Sequence, residues 1–159
     1  MKRVVVTGLG LLTSIGDGVN QTWNNLISCH SGIRKISNFN TDDLPCKISG
    51  NISNDKNTPN FFDEEKYFNL RDLKRNDRFI LYGLAAAQQA IIDSGIQDLS
   101  EEKKIRTGVT VGSGIGGLET IYNGSITLKE KGARKISPFF IPSSLVNLLS
   151  GQISIKYGF

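Results

Sequence analysis

One run of six residues limits this chain more than any other: Gly112-Ser113-Gly114-Ile115-Gly116-Gly117. A backbone stripped of side chains in this way lets something come close, whether a ligand, a phosphate or another subunit. Ile115 alone keeps a bulky side chain, which sets a gate or a wall in the middle of the loop. Ahead of it, Val109 and Val111 alternate with threonine and glycine, the pattern of a short buried strand. Behind it, a helix starts near Leu118 and leads to a basic pair, Arg134-Lys135. Phe139-Phe140 then follow, bracketed by Pro138 and Pro142.

The other segments are arranged around this strand–loop–helix–loop. The β-branched run over residues 3–7 predicts a strand buried on both faces of an α/β sheet, and Gly8-Leu9-Gly10 turns the chain after it. Val19, Trp23, Leu26 and Ile27 fall at helical spacing, with Trp23 expected to anchor that helix on the core. Residues 34–59 mix asparagine, aspartate, serine and proline and read as an irregular excursion, with at most a short strand near 47–52. The strongest helix runs from Asp77 to Ser94, with Gly95 as its C-terminal cap. Residues 98–106 form a charged connection. Leu118, Ile121, Tyr122 and Leu128 support the next helix, stopped at Gly132. Ser143 or Ser144 then caps a last helix carrying Leu145, Leu148, Leu149 and Ile153, closed by Gly158. Two strands against four helices are few for a finished sheet, and the chain stops where an α/β chain would lay down another strand. The expectation is half of a larger domain.

Composition narrows the function. A hydrophobic fraction of 38% and a charged fraction of 21% are globular values, and a net charge of +4 is too small to argue for nucleic acid. No run is long enough to span a membrane and the start is no signal peptide, so a cytoplasmic protein is expected. Two cysteines make neither a disulfide framework nor a metal site. The glycine loop fits G-x-G-x-x-G, but no acidic residue stands about twenty positions on, and residues 135–142 carry two prolines where a second strand belongs. Cys29 and His30 are neighbours at a helix end, so their side chains diverge, and neither Cys29 nor Cys46 reads as a nucleophile. Arg71, Lys74, Arg75 and Arg78 stand at i, i+3, i+4 and i+7. That spacing makes one helical face, either solvated or turned toward an acidic partner.

Taken together and in order, residues 4–10, Ser31-Gly32-Ile33, Asp93-Ser94-Gly95, the glycine loop and residues 134–140 resemble the N-terminal part of the bacterial β-ketoacyl-acyl-carrier-protein synthases. The isoleucine in the glycine loop and the Arg-Lys-Ile-Ser-Pro-Phe-Phe string are similar to synthase II rather than synthase I. The resemblance covers the whole chain, residues 1–159. It implies a thiolase-like α/β fold of αβαβα layers, of which this chain is the N-terminal half, cut before the strand that carries the nucleophile. It also implies decarboxylative condensation of acyl- and malonyl-carrier in fatty-acid synthesis by a homodimer. The family's cysteine and two histidines have no counterpart here, so the resemblance assigns this chain no catalytic residue and expects it to be inactive alone. By resemblance Ile115 is the gate of the fatty-acyl pocket and Phe140 lines that pocket. Arg71, Lys74, Arg75, Arg134 and Lys135 match the basic contacts to acyl carrier protein. No metal or cofactor is implied beyond the carrier's phosphopantetheine arm. Two rival readings are a non-catalytic partner that docks carrier and an NADP-binding oxidoreductase domain. The second needs a strand over residues 135–142.

Overall fold

The computed structural model describes residues 2–58 and 61–159. Its short strands are β1 (Leu12–Thr13), β2 (Gly16–Asp17), β3 (Arg34–Lys35) and β4 (Ile48–Ser49). Its helices are α1 (Val19–Ile27), α2 (Leu70–Arg75), α3 (Arg78–Ser94), α4 (Glu101–Ile105), α5 (Leu118–Lys131), α6 (Phe140–Ser144) and α7 (Leu148–Tyr157).

The sequence makes α3 the centre of the molecule. Asp77 caps its start by accepting the Phe79 N–H, and Gly95 turns its end at φ 69°, with the Ile96 N–H returning to the Ile91 carbonyl. Between the caps, Ile80, Leu81, Leu84, Ala85 and Ile91 are buried. Gly83 opens a notch in this face, and a Cβ there would collide with the methyls of Leu149 on α7. The two helices therefore close around one cluster of Phe62, Phe68, Ile80, Leu81, Leu84, Ala85, Leu149 and Ile153. Burial of such side chains contributes about 1.5–3 kcal/mol each, which makes this cluster the main source of cohesion.

The expected strand over residues 3–7 is absent. Val4, Val5 and Val6 are 96%, 71% and 79% exposed. A strand needs a neighbour to take its N–H and C=O groups, and among the described residues none pairs there. The backbone that follows is claimed by α3 instead. Leu9 N–H donates to Asp93 Oδ2 at 2.9 Å and Leu11 N–H to Gln89 Oε1 at 3.0 Å. Gly8 and Gly10 permit this approach, since a Cβ on either would run into the carbonyls of Ala90 and Ala86. The second expected strand is missing too. Val109 and Val111 pack against the core but join no ladder.

The strands that do form are small antiparallel pairs. Leu12 faces Asp17 and Thr13 faces Gly16 in the first. In the second, Arg34 faces Ser49 and Lys35 faces Ile48, within the expected irregular excursion, whose last residue, Pro59, lies outside the described residues. The first hairpin decides which face of α1 is buried. Thr22 Oγ1 sits 3.2 Å from Thr13 Oγ1 and 3.4 Å from the Gly16 carbonyl, and Asn25 donates to the Ile15 carbonyl. Trp23, about 100° further round the helix, is left 59% exposed and does not anchor a core. α1 ends on Cys29 at φ 55°, a left-handed position, with the His30 N–H bonded to the Asn25 carbonyl at 2.9 Å.

Three further differences have local causes. Residues 98–106 are not mere connection, because Lys104 pairs with Glu101 at 2.8 Å across one turn of α4. Ser143 and Ser144 do not cap the last helix. They are buried inside α6 with their hydroxyls bonded back to the Phe139, Phe140 and Ile141 carbonyls, and Asn147 starts α7. The basic face over residues 71–78 is also not continuous. Asn76 is extended, so Arg78 opens a different helix and pairs with Glu119 at 3.5 Å.

A polar knot ties the hairpin to the core. Asp17 Oδ1 accepts from the Tyr67 hydroxyl at 2.7 Å and from Gln89 Nε2 at 2.7 Å, while Gln89 Nε2 also donates to the Tyr67 oxygen at 2.9 Å. Burial raises the Tyr67 phenol above its ordinary value, and the Asp17 carboxylate adds to the rise.

Candidate functional site

α2 is where charge and apolar surface meet. Asn69 starts it by accepting the N–H groups of Arg71 and Asp72 at 2.9 and 3.0 Å. The helix buries no residue. Six residues in water would be marginal, so this cap and the contacts beneath it hold α2 in place. One such contact is cationic: the Arg75 guanidinium lies 4.3 Å from the centre of the Phe139 ring. Leu70, Arg71, Lys74, Arg75 and Phe139 together enclose an open slot of about 420 Å³.

A second cavity of about 450 Å³ adjoins it, and Lys74, Arg75 and Phe139 line both. Lys135 and Phe140 complete its far wall. They arrive there because Gly132, at φ 79°, ends α5 and passes into a single 3-10 turn over Ala133–Lys135. Phe140 then lies on Gly124 of α5, where a Cβ would collide with its ring. Arg134 stands beside Lys135, exposed. Among the described residues, Arg71, Lys74, Arg75, Arg134 and Lys135 form no ion pair, whereas Arg78 does. Beneath α2, Lys156 donates to Gln88 Oε1 at 2.7 Å. Burial lowers its ammonium, and Asp72 works against that shift.

The glycine loop borders this region from the other side. Gly116 takes φ 79° and Gly117 N–H donates to the Ser144 carbonyl at 3.0 Å. A Cβ at Gly117 would stand 2.6 Å from Ser143 O and 2.6 Å from Ser144 Cα, so the loop is bare where it lies on α6. Ile115, on its outer side, is 65% exposed and is not among the residues lining the cavity that holds Phe140. Lys74, Arg75, Lys135 and Phe140 are thus brought together, Arg71 joins them through the adjoining slot, and Ile115 stands apart. Of the other walls, Leu70 is not anticipated by the sequence, whereas Phe139 falls within the aromatic pair that could line an apolar slot. Phe139 had a signal in its pairing with Phe140, and an exposed leucine before a basic run has none.

No nucleophile–base pair is assembled among the described residues. Cys29 and Cys46 are free and exposed, Cys46 Sγ donates to the Ile48 carbonyl at 3.3 Å, and His30 Nδ1 contacts Asn25 Oδ1 at 2.9 Å. Residues 133–144 make a turn and α6 rather than a strand, which removes the dinucleotide-binding reading of the glycine loop.

The model of the family described as β-ketoacyl synthase, N-terminal domain, matches residues 1–159. The chain is 44% identical over 157 residues to the 3-oxoacyl-[acyl-carrier-protein] synthase 2 of Vibrio cholerae, covering 99% of this chain and 36% of that protein. It is 41% identical over 157 residues to the synthase of the same name from Rhizobium meliloti, covering 37% of that one. Among solved structures it resembles a ketosynthase bound to the hexaketide in complex with its type II PKS acyl-carrier protein. The TM-score there is 0.72 at 28% identity, over 100% of this chain and 40% of that one. The ishigamide ketosynthase/chain length factor shares the fold, with TM-score 0.74 at 24% identity over 96% of this chain and 36% of that one. The fold is therefore the thiolase-like α/β fold of the ketosynthases, represented by its N-terminal part. The chain spans little more than a third of the length of the curated relatives it matches.

Proposed function

Because the chain belongs to the β-ketoacyl synthase family, as its N-terminal domain, we propose that it is the carrier-docking and acyl-pocket part of a 3-oxoacyl-[acyl-carrier-protein] synthase 2. The complete protein would be a cytoplasmic homodimer that condenses acyl-carrier with malonyl-carrier, with loss of carbon dioxide, in fatty-acid synthesis. The observation that carries this reading is a cationic rim on the apolar slot walled by Leu70 and Phe139, whose neighbouring cavity also carries the carboxylates Glu64, Asp77 and Glu119. Arg71, Lys74, Arg75, Arg134 and Lys135 form no ion pair among the described residues, and the wall between them is Phe139-Phe140. An acidic carrier approaching such a rim is steered by its field, and the apolar slot offers an anchor for one of its side chains. Phe140 then borders the acyl chain, and Ile115 acts as the gate on the glycine loop. The ketosynthase solved with its acyl-carrier protein supports a carrier as the partner.

The chemistry needs a thiolate to take the acyl group and donors to stabilise the oxyanion. His30 is bonded to Asn25 and Cys46 Sγ to the Ile48 carbonyl, so neither cysteine is shown paired with an imidazole base, and we assign the nucleophile and the histidines to residues beyond these 159. No cofactor is called for other than the carrier's own phosphopantetheine arm. In the full-length protein, Lys74→Glu with Arg75→Glu should weaken carrier binding roughly tenfold or more at low salt, with the loss in association rate and shrinking as salt rises. Unchanged binding at low salt would leave the rim a solvated surface. In the same assay Ile115→Phe should slow acylation by long primers about tenfold to a hundredfold and spare short ones. Parallel losses would make Ile115 a packing residue.

A further inference from the structure

One buried carboxylate in the lining of the cavity that holds Phe140 has been given no functional role so far. Asp77 is 9% exposed, and its two oxygens go to different helices. Oδ1 accepts from the Phe79 N–H at the start of α3, at 3.3 Å. Oδ2 accepts from the Thr120 N–H in the first turn of α5, at 2.9 Å and 43 residues further along the chain. α5 needs this help, because its own N-cap is Gly117, which offers no side chain, and no cap of its own forms. Both positive helix ends thus converge on a single negative charge.

The same point fixes the glycine loop. A Cβ at Gly117 would stand 3.2 Å from Asp77 Oδ2 as well as against Ser143 and Ser144. The loop, α6 and the carboxylate therefore share one packed node. On its other side Asp77 follows α2 with only Asn76 between. Asn76 is held to α2, its Nδ2 donating to the Asp72 carbonyl at 3.0 Å. The cationic segment and the loop carrying Ile115 are thereby joined through one side chain.

We propose that Asp77 is a positioning residue that sets the glycine loop, and the Ile115 gate on it, in register with the docking segment 70–76. The proposal rests on the docking reading above and deepens it. Asp77 touches neither carrier nor acyl chain in this scheme. It acts through the N-terminus of α5, holding Gly117 and so the loop that ends there. The requirement is for two acceptors in a fixed fork. Asparagine keeps the shape but supplies one acceptor oxygen, turning an NH₂ donor against the other N–H.

The test uses the full-length protein with Asp77→Asn and Asp77→Ala, read by amide exchange and by acylation rate against primer length. Exchange over residues 113–117 and at Thr120 should quicken roughly tenfold, the effect of losing one charge-assisted hydrogen bond, with amides of α1 and α7 little changed. The ratio of long-primer to short-primer rate should shift about fivefold or more at unchanged carrier affinity, a split that a folding defect does not produce. Three results would overturn the proposal: faster exchange confined to the first turn of α3, faster exchange everywhere in step with a lower Tm, or equal loss for all primers. If the wild-type protein fails to bind carrier, the docking reading falls by itself, and the exchange over residues 113–120 still decides whether Asp77 holds the loop.

Discussion

The α3–α7 pair and the valine run over residues 4–6 are both aliphatic, yet only the pair is buried. Ile80, Leu81, Leu84, Leu149 and Ile153 are shut away, while Val4, Val5 and Val6 lie open on a segment with no strand beside it among the described residues. The difference is one of hydrogen bonds before it is one of hydrophobicity. A helix satisfies its backbone within itself and can then offer a finished apolar face to a neighbour. A strand cannot close its bonds without a second strand, so an apolar run alone gives extended chain and no sheet. Patterning decides what a segment is suited to, and pairing decides whether it gets there.

The sharpest way to break this comparison is to cut both regions alike. In the 159-residue chain Leu149→Ala should destabilise by about 2–5 kcal/mol, because it empties the notch at Gly83. Val5→Ala should stay within about 0.5 kcal/mol, since the side chain already lies in water. Urea midpoints for the two variants decide the matter, and similar shifts would mean that residues 3–7 are buried in solution.

A smaller effect is expected where α1 stops. Cys29 sits at φ 55°, a conformation that costs a non-glycine residue roughly 1–2 kcal/mol, against about 0.5–1 kcal/mol for the extra freedom of glycine. Cys29→Gly should therefore raise stability by about 0.5–1 kcal/mol, seen as a higher Tm, and Cys29→Val should lower it. A stabilising valine would contradict the left-handed turn. The helical region, unlike the valine run, would thus respond to backbone repair without any new partner.

The smallest effect is one of pH. The folded Tyr67 phenol lies above the ordinary 10.0, first through burial and then through Asp17, so the native chain holds that proton longer than the unfolded one. Its contribution is whole below pH 10 and is lost as the pH rises through the folded value. Tyr67→Phe should make the alkaline fall in stability shallower, measured by denaturant midpoints from pH 8 upward. Tyr82 and Tyr157, raised chiefly by burial as well, keep some of the slope.

Helices and their stops were legible in the sequence because their signals are local. Asp77, Gly95, Gly132 and Gly158 mark boundaries where the structure has them. The resemblance of residues 4–10, 93–95 and 112–117 to the ketoacyl synthases was legible as a set, and the family follows from it. Trp23 was misjudged because helical spacing says which residues share a face but not which face the hairpin at Thr13 and Gly16 will cover. The break at Asn76 was hidden because the i, i+3, i+4, i+7 spacing continues across it, and only the competing cap at Asp77 ends the helix there. The second acceptor role of Asp77, to a backbone N–H 43 positions away, leaves no pattern in one sequence.

The knot at Asp17 bears on the order in which the chain assembles. Its partners Tyr67 and Gln89 lie 50 and 72 positions away, so it closes only after two distant loops have come together, a step with a large loop-closure entropy. We expect contacts of that kind to form late, past the barrier to folding, which the folding and unfolding rates of Asp17→Asn test. Their loss should then leave the speed of assembly nearly untouched and shorten the lifetime of the native state. Asp17 is in this sense a latch, engaged last and released first.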